Sequence, residues 1–313
     1  MKIDCDPLLN AINRYIEKAD KDMKKELKAE GFVSIDQAVK SIGEIEDGVT
    51  EALQSHADDV LERLQAATGL PNFISDIWPT IKDAEDLEKA LHDIFHDQFD
   101  TLMHQTTFDW IIAQDPKLPV TDDRITKPAQ EFVKSWSKDL SKIMRLNTNE
   151  QIEKILIRAD EDKRTIEQVA DDIANSGIRN CGYRARRVAV TEVLRMESYG
   201  QQEAMVQNPS AYKKSWIHCN SEHPRDNHIA MDGNTVFKRE TFTLLGADGT
   251  EYHPICPRDT CLPASESVNC HCIMKVIEDE NVLGMTPEER AELRTRYMDE
   301  IDAEYEKKTQ EAS

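Results

Sequence analysis

Two things are scarce in this chain: positive charge and long apolar runs. Lys and Arg number 39 against 60 Asp and Glu, a formal net charge of −21 over 313 residues. Most of the surface therefore repels phosphate backbones and anionic lipid, so any nucleic-acid contact requires a local basic patch. No stretch approaches the roughly 18 to 20 apolar residues of a membrane-spanning helix. The opening MKIDCDPLLN lacks the basic start and apolar run of a secretory signal. A soluble protein made in the cytoplasm, with no membrane partner, is the expectation. Cysteine is also sparse, seven in all, yet five fall between Cys219 and Cys272, together with His223, His228, His253 and His271 and next to His218. In a reducing compartment such clustering favours metal ligation over a disulfide framework. At 39% hydrophobic residues the chain can bury a sizeable core without disulfide staples.

From Asp6 to about Met144 apolar residues recur at three- and four-residue spacing: Leu9, Ile12 and Ile16, then Val60, Leu61 and Leu64, then Leu87, Leu91, Ile94 and Phe95. This is the period of packed amphipathic helices. Capping-box spacing at Ser34 to Gln37, Thr148 to Gln151 and Thr165 to Gln168 marks three helix starts. Breaks are expected near Gly69-Leu70-Pro71, at Trp78-Pro79 and across Pro116 to Pro119. After Gly200 the pattern changes to short runs, Lys214 to His218, Thr235 to Phe237 and Phe242 to Leu245, separated by the turn dipeptides Asp232-Gly233 and Asp248-Gly249. Thr286-Pro287-Glu288-Glu289 starts a last helix, whose 12 acidic and 5 basic residues from Val276 onward suggest a solvated tail. The expected fold class is α+β: a mainly helical N-terminal region (1–147), a small Cys/His-rich α+β module (148–280) and an acidic C-terminal helix (281–313).

Zinc takes about four soft or borderline ligands in a tetrahedron, usually as two pairs from separate turns. Cys270 and Cys272 make one pair if the backbone between them turns tightly. His228, just ahead of Asp232-Gly233, is the best partner, and Cys219 is the expected fourth ligand. Cys256 and Cys261 also have pair spacing, and His223 or His253 could substitute. A structural zinc, a metal-free module with free thiols, and a disulfide such as Cys256 to Cys261 all remain compatible with this spacing. A catalytic metal needs an open position and a placed acid or base, and the H-x-E with P-C-x-x-C deaminase signature is absent. The enzymatic alternative is a metal-dependent nuclease in which His228, with Asp226 or Asn227, activates water. One basic patch stands out, Arg179, Arg184, Arg186, Arg187 and Arg195 against Glu192 and Glu197. It is the candidate nucleic-acid-binding surface, unless those arginines pair with local acids.

In order along the chain come Arg184-Ala185, Ala189-Val190-Thr191-Glu192-Val193, Trp216, Arg225 to His228 with Asp232-Gly233, Pro257-Arg258-Asp259, Pro263-Ala264 and Asn269-Cys270-His271-Cys272. From about Arg179 to Lys275 this series resembles the Mu-F-like head-morphogenesis proteins of tailed phages. Val190 and His271 stand where that family usually has Arg, and some members carry a Cys pair where this chain has Arg225 and His228. The resemblance implies a minor structural protein of the phage head, at the portal vertex, acting in procapsid assembly and DNA packaging or delivery. Its implied partners are the portal, scaffold or major capsid protein, with DNA through the local basic patch. Its implied location is the virion, reached from the host cytoplasm during assembly.

Overall fold

The computed structural model describes residues 20–178, 181–219 and 224–311. Leu9, Ile12, Ile16, Arg179 and His223 lie outside the described residues. The chain divides into two compact units, each assembled from separated stretches: residues 20–41, 99–132 and 190–311 form one, and 42–98 and 133–189 the other.

Helix α1 spans Asp20–Glu30 and α2 Ile35–Ala66. Along α2, Ile42, Ile45, Val49, Leu53, Ala57, Val60 and Leu64 are fully buried at three- and four-residue steps, as a one-faced helix requires. After Gly69 come α3 (Leu70–Asn72), a π-helical turn (Phe73–Ile77) and α4 (Trp78–Asp83). The expected break at Trp78-Pro79 is thus a change of helix type, with Pro79 in the first turn, where no N–H is needed. Helices α5 (Asp86–Gln114), α6 (Lys127–Glu161) and α7 (Ile166–Ala174) follow. Trp78, Phe73 and Ile81 join Leu156, Val169 and Ile173 in the core of the second unit.

The three expected capping boxes fare differently. At Thr165 the box is complete, side chain and backbone reciprocated with Gln168. At Ser34 the helix does begin one residue later, but the hydroxyl is drawn away to Asp109 Oδ2 at 2.9 Å. At Thr148 no helix starts: α6 runs straight through, so the expected boundary at 147/148 falls inside a helix. The reason is burial. Thr148 is fully buried and donates to Met144 O at 2.7 Å, while Asn149 donates to Lys82 O and meets His56 Nε2.

Helix α8 spans Gly182–Gln207, seven residues beyond the pattern change at Gly200. A Cβ on Gly200 would lie 2.7 Å from the Thr106 side chain, so the missing methyl lets α8 approach α5 closely. Beyond it, β1 (Ala211–Ile217) is the centre of a three-stranded antiparallel sheet in the order β2-β1-β5, with β2 Thr235–Phe237 and β5 Ile273–Glu278. Between them lie the short α9 (Asp226–Ala230), the β3 and β4 pair (Leu244–Leu245 with Glu251–Tyr252) and α10 (Ala264–Ser267). Gly233 and Gly249 hold φ near +80° in the two turns that their Asp-Gly dipeptides announced. Gln201 fastens α8 to the sheet, bonding both the carbonyl and the N–H of Met274. The architecture is mainly helical α+β, as expected.

A short α11 (Glu280–Leu283) leads to α12 (Pro287–Glu311), which is no solvated tail. Arg290 is buried against Asp115 at 2.8 Å, Arg294 donates to Gln207 and Asp122, and Met298 is buried. The acidic composition concealed this because it does not tell which residues face the protein: Arg290 and Arg294 are buried, and Asp302 accepts from Lys127 N and Arg124.

Gly200→Ala should lower stability by about 1–3 kcal/mol, the cost of overpacking, even though alanine is the better helix former by about 1 kcal/mol. A urea unfolding midpoint that rises instead would show that α5 yields freely at Thr106.

Candidate metal centre

The loop between α10 and β5 carries both expected thiols. Asn269 sits at φ +56°, a left-handed conformation that asparagine tolerates better than most residues. Among the described residues this loop and α9 bring His228, Cys270 and Cys272 together, their ligand atoms all within 4.8 Å of one another. His228 Nδ1 lies 3.6 Å from each sulfur. The three are 2%, 1% and 2% exposed, so water barely reaches them. This buried His/Cys/Cys group could hold a metal ion.

The far side of the imidazole is fixed as well. His228 Nε2 is 2.9 Å from Glu266 Oε2, itself buried on α10. That leaves Nδ1 facing the sulfurs, the carboxylate–histidine arrangement that orients metal-binding imidazoles. Burial would push the Glu266 carboxyl up, but hydrogen bonds from the Ala247 N–H and Asn227, with His228 beside it, hold it below the usual range. Trp216 meets the His228 ring edge-on at 5.9 Å. Cys270 is drawn well down by the hydrogen bond from Cys272, against its burial and with help from His228 and Arg258, and Cys272 is pushed up by the same bond and by burial.

Arg258 locks the loop from behind. Its guanidinium, 1% exposed, donates to Cys270 O at 2.6 Å, Leu194 O at 2.8 Å and Ser198 Oγ at 2.6 Å. Arg195 donates to the Arg258 carbonyl and pairs with Glu192 at 2.8 Å. Asp259 accepts from Tyr199 OH, Ile255 N and Cys261 N.

The remaining sequence candidates fall elsewhere. Cys219 turns its thiol to Glu30 O at 3.6 Å, and burial with the nearby Glu30 charge pushes it up to about 11. Cys256 is fully buried, and desolvation raises its thiol well above the ordinary range. Cys261 is free and exposed, and His253 pairs with Glu251 at the surface. Cys256 and Cys261 are both free thiols, so the disulfide alternative is not formed. Of the basic patch, Arg184 donates to Thr148 and Met144, Arg186 to Glu46, and Arg187 lies over the Tyr183 ring. Arg195 is 5% exposed, so it cannot offer itself to a phosphate. A second group, Glu26, Glu30 and His271, is also close enough to hold an ion, with Glu30 and His271 hydrogen-bonded to each other. Sequence reading missed Glu266 altogether. Its only signal is a place two residues beyond Pro263-Ala264, and nothing in spacing says that this turn faces His228.

Fold and site together define a mainly helical α+β protein with a buried His/Cys/Cys group able to hold a metal ion. The chain belongs to the YqbB family: it is 31% identical over 311 residues to "Uncharacterized protein YqbB" of Bacillus subtilis (strain 168), covering 92% of this chain and 96% of that one. No protein-family model matches the chain. No solved structure matches it.

On α8, Glu197 is a buried carboxylate with a pH signal of its own. Its Oε1 accepts from Thr106 at 3.1 Å, its Oε2 is buried without a partner, and desolvation pushes the carboxyl up to about 7. From about pH 4.3 to about 7 the folded state therefore keeps a proton that the unfolded chain has lost, so this residue's contribution to stability falls as pH rises. Glu197→Gln should gain on the wild type across that window and match it below. Parallel unfolding curves for the two proteins at every pH would remove the assignment.

Proposed function

We propose that this chain is a minor structural protein of a tailed-phage head, placed at the portal vertex during procapsid assembly and DNA packaging or delivery, with its Cys/His module fastened by a structural zinc. The observation that carries the reading is where the resemblance residues lie. Trp216, His228, Arg258, Cys270 and Cys272 are all 2% exposed or less, and they bond to one another or to the neighbouring backbone, not to an open cleft. Such residues hold a shape. Zinc suits the donor set, two thiols and an imidazole backed by a carboxylate, better than magnesium or calcium, which take oxygen ligands. Burial of His228 likewise opposes the nuclease alternative, since a phosphodiester has no path to it. The net charge of −21 and the internal engagement of Arg184, Arg186 and Arg195 argue for a protein partner over a DNA contact.

Two measurements test this. Purified protein should contain one zinc per chain, and Cys270→Ser should lose it together with a large part of the thermal stability; a metal-free wild type ends the zinc reading. Expressed with the portal, scaffold and major capsid proteins of its own phage, the chain should co-sediment with portal or procapsids. Absence from both fractions would count decisively against a head role.

A further inference from the structure

The three buried ligand atoms lie within 4.8 Å of one another, three of the four donors that a structural zinc site draws from protein. The end of β1 supplies two candidates, His218 and Cys219, and spacing alone favours the thiol. The structure sends their two side chains to different partners. Cys219 points to the Glu30 carbonyl, whereas His218 Nδ1 lies 3.8 Å from Cys272 Sγ. The His218 N–H is anchored to Asp232 Oδ1 at 2.9 Å, which ties the strand end to the turn that follows α9.

Magnitudes favour the same residue. With Zn–S of about 2.3 Å and Zn–N of about 2.0–2.1 Å, tetrahedral angles put nitrogen and sulfur ligands about 3.6 Å apart. The contacts of His228 with the two sulfurs are 3.6 and 3.6 Å, and that of His218 with Cys272 is 3.8 Å. A single thiol–imidazole hydrogen bond has a similar length, so one such distance decides nothing. Here two imidazoles meet at one sulfur, that of Cys272, and His228 also reaches Cys270. His218 is not one of the trio whose atoms all lie within 4.8 Å, and it is only partly buried, so completing the set requires its ring to move toward them.

Charge balance points the same way. Two thiolates and two neutral imidazoles neutralise Zn²⁺, which suits a centre this deeply buried. A third thiolate at Cys219 would add an uncompensated negative charge beside Glu30.

We propose that His218 is the fourth ligand, through Nδ1, of a closed zinc centre completed by His228, Cys270 and Cys272. The proposal rests on the zinc reading above. The ion then clasps three segments, the end of β1, α9 and the loop before β5, and offers no open position for a substrate.

The test uses the full chain loaded with Zn²⁺, and separately with Co²⁺, whose visible spectrum reports the number of sulfur ligands and the geometry. His218→Ala should weaken metal binding by more than the ~10–100-fold that an outer-shell change such as Glu266→Gln costs, with the tetrahedral cobalt bands diminished. Cys219→Ser should leave affinity and spectrum unchanged. His218→Cys should keep tight binding and add thiolate charge-transfer intensity, a gain that a merely structural role for His218 would not produce. Should Cys219→Ser lose the bands while His218→Ala keeps them, Cys219 is the ligand and the proposal is overturned. Should both variants keep them, the fourth ligand is another group and the proposal again fails. A wild type that binds neither ion defeats the zinc reading itself, a result distinct from either of these.

Discussion

Burying a guanidinium is affordable only if its N–H groups find acceptors, and Arg258 meets that demand with the Leu194 carbonyl, the Ser198 hydroxyl and the Cys270 carbonyl. Three fixed acceptors on two elements leave little freedom between them. Helix α8 and the Cys270 loop are therefore held at one distance and one register. Arg258 itself sits at φ +64°, unusual for a side chain of this size. Its carbonyl is thereby placed for Arg195, which Glu192 braces in turn. A line of charge-assisted bonds thus runs from one turn of α8 into the Cys270 loop.

From that loop the constraint spreads in two directions. Inward, Cys270 and Cys272 meet His228, whose other nitrogen is committed to Glu266. Outward, His271 bonds Glu30 at the end of α1, and Ile273 packs where a Cβ on Gly31 would come within 3.3 Å. Alternating residues of one short segment thus face the His/Cys/Cys group on one side and α1 on the other. Such a division suits a fastener, and it explains why a two-cysteine motif is accompanied by so many buried polar groups.

Much of the fold was legible because it depends on local chemistry. Thr165, Gln168, Thr286 and Pro287 mark helix starts by bonds made within one turn, and the structure has those starts. Asp232-Gly233 and Asp248-Gly249 announce turns because only positive φ closes them. The failures share a cause. Thr148 has the same signature as Thr165, but Met144 captures its hydroxyl inside a buried helix; Gly200 resembles a helix end, yet serves as a thin place for Thr106. The acidic C-terminal helix reads as solvated because composition does not tell which side faces the protein, and Arg290, Arg294 and Asp302 all bond inward.

By itself the sequence determined the helical period, the turns, the acidic surface and the presence of His228, Cys270 and Cys272 among the candidate metal ligands, all properties carried by residue type and short spacing. Only the tertiary structure decided which distant groups converge. It set Glu266 behind His228, turned Cys219 to Glu30 and His218 toward Cys272, and buried Arg195 with Glu192. The reason is physical: a side chain's direction at a strand end or in a loop depends on the packing of segments tens of residues away, and spacing along the chain carries no record of it.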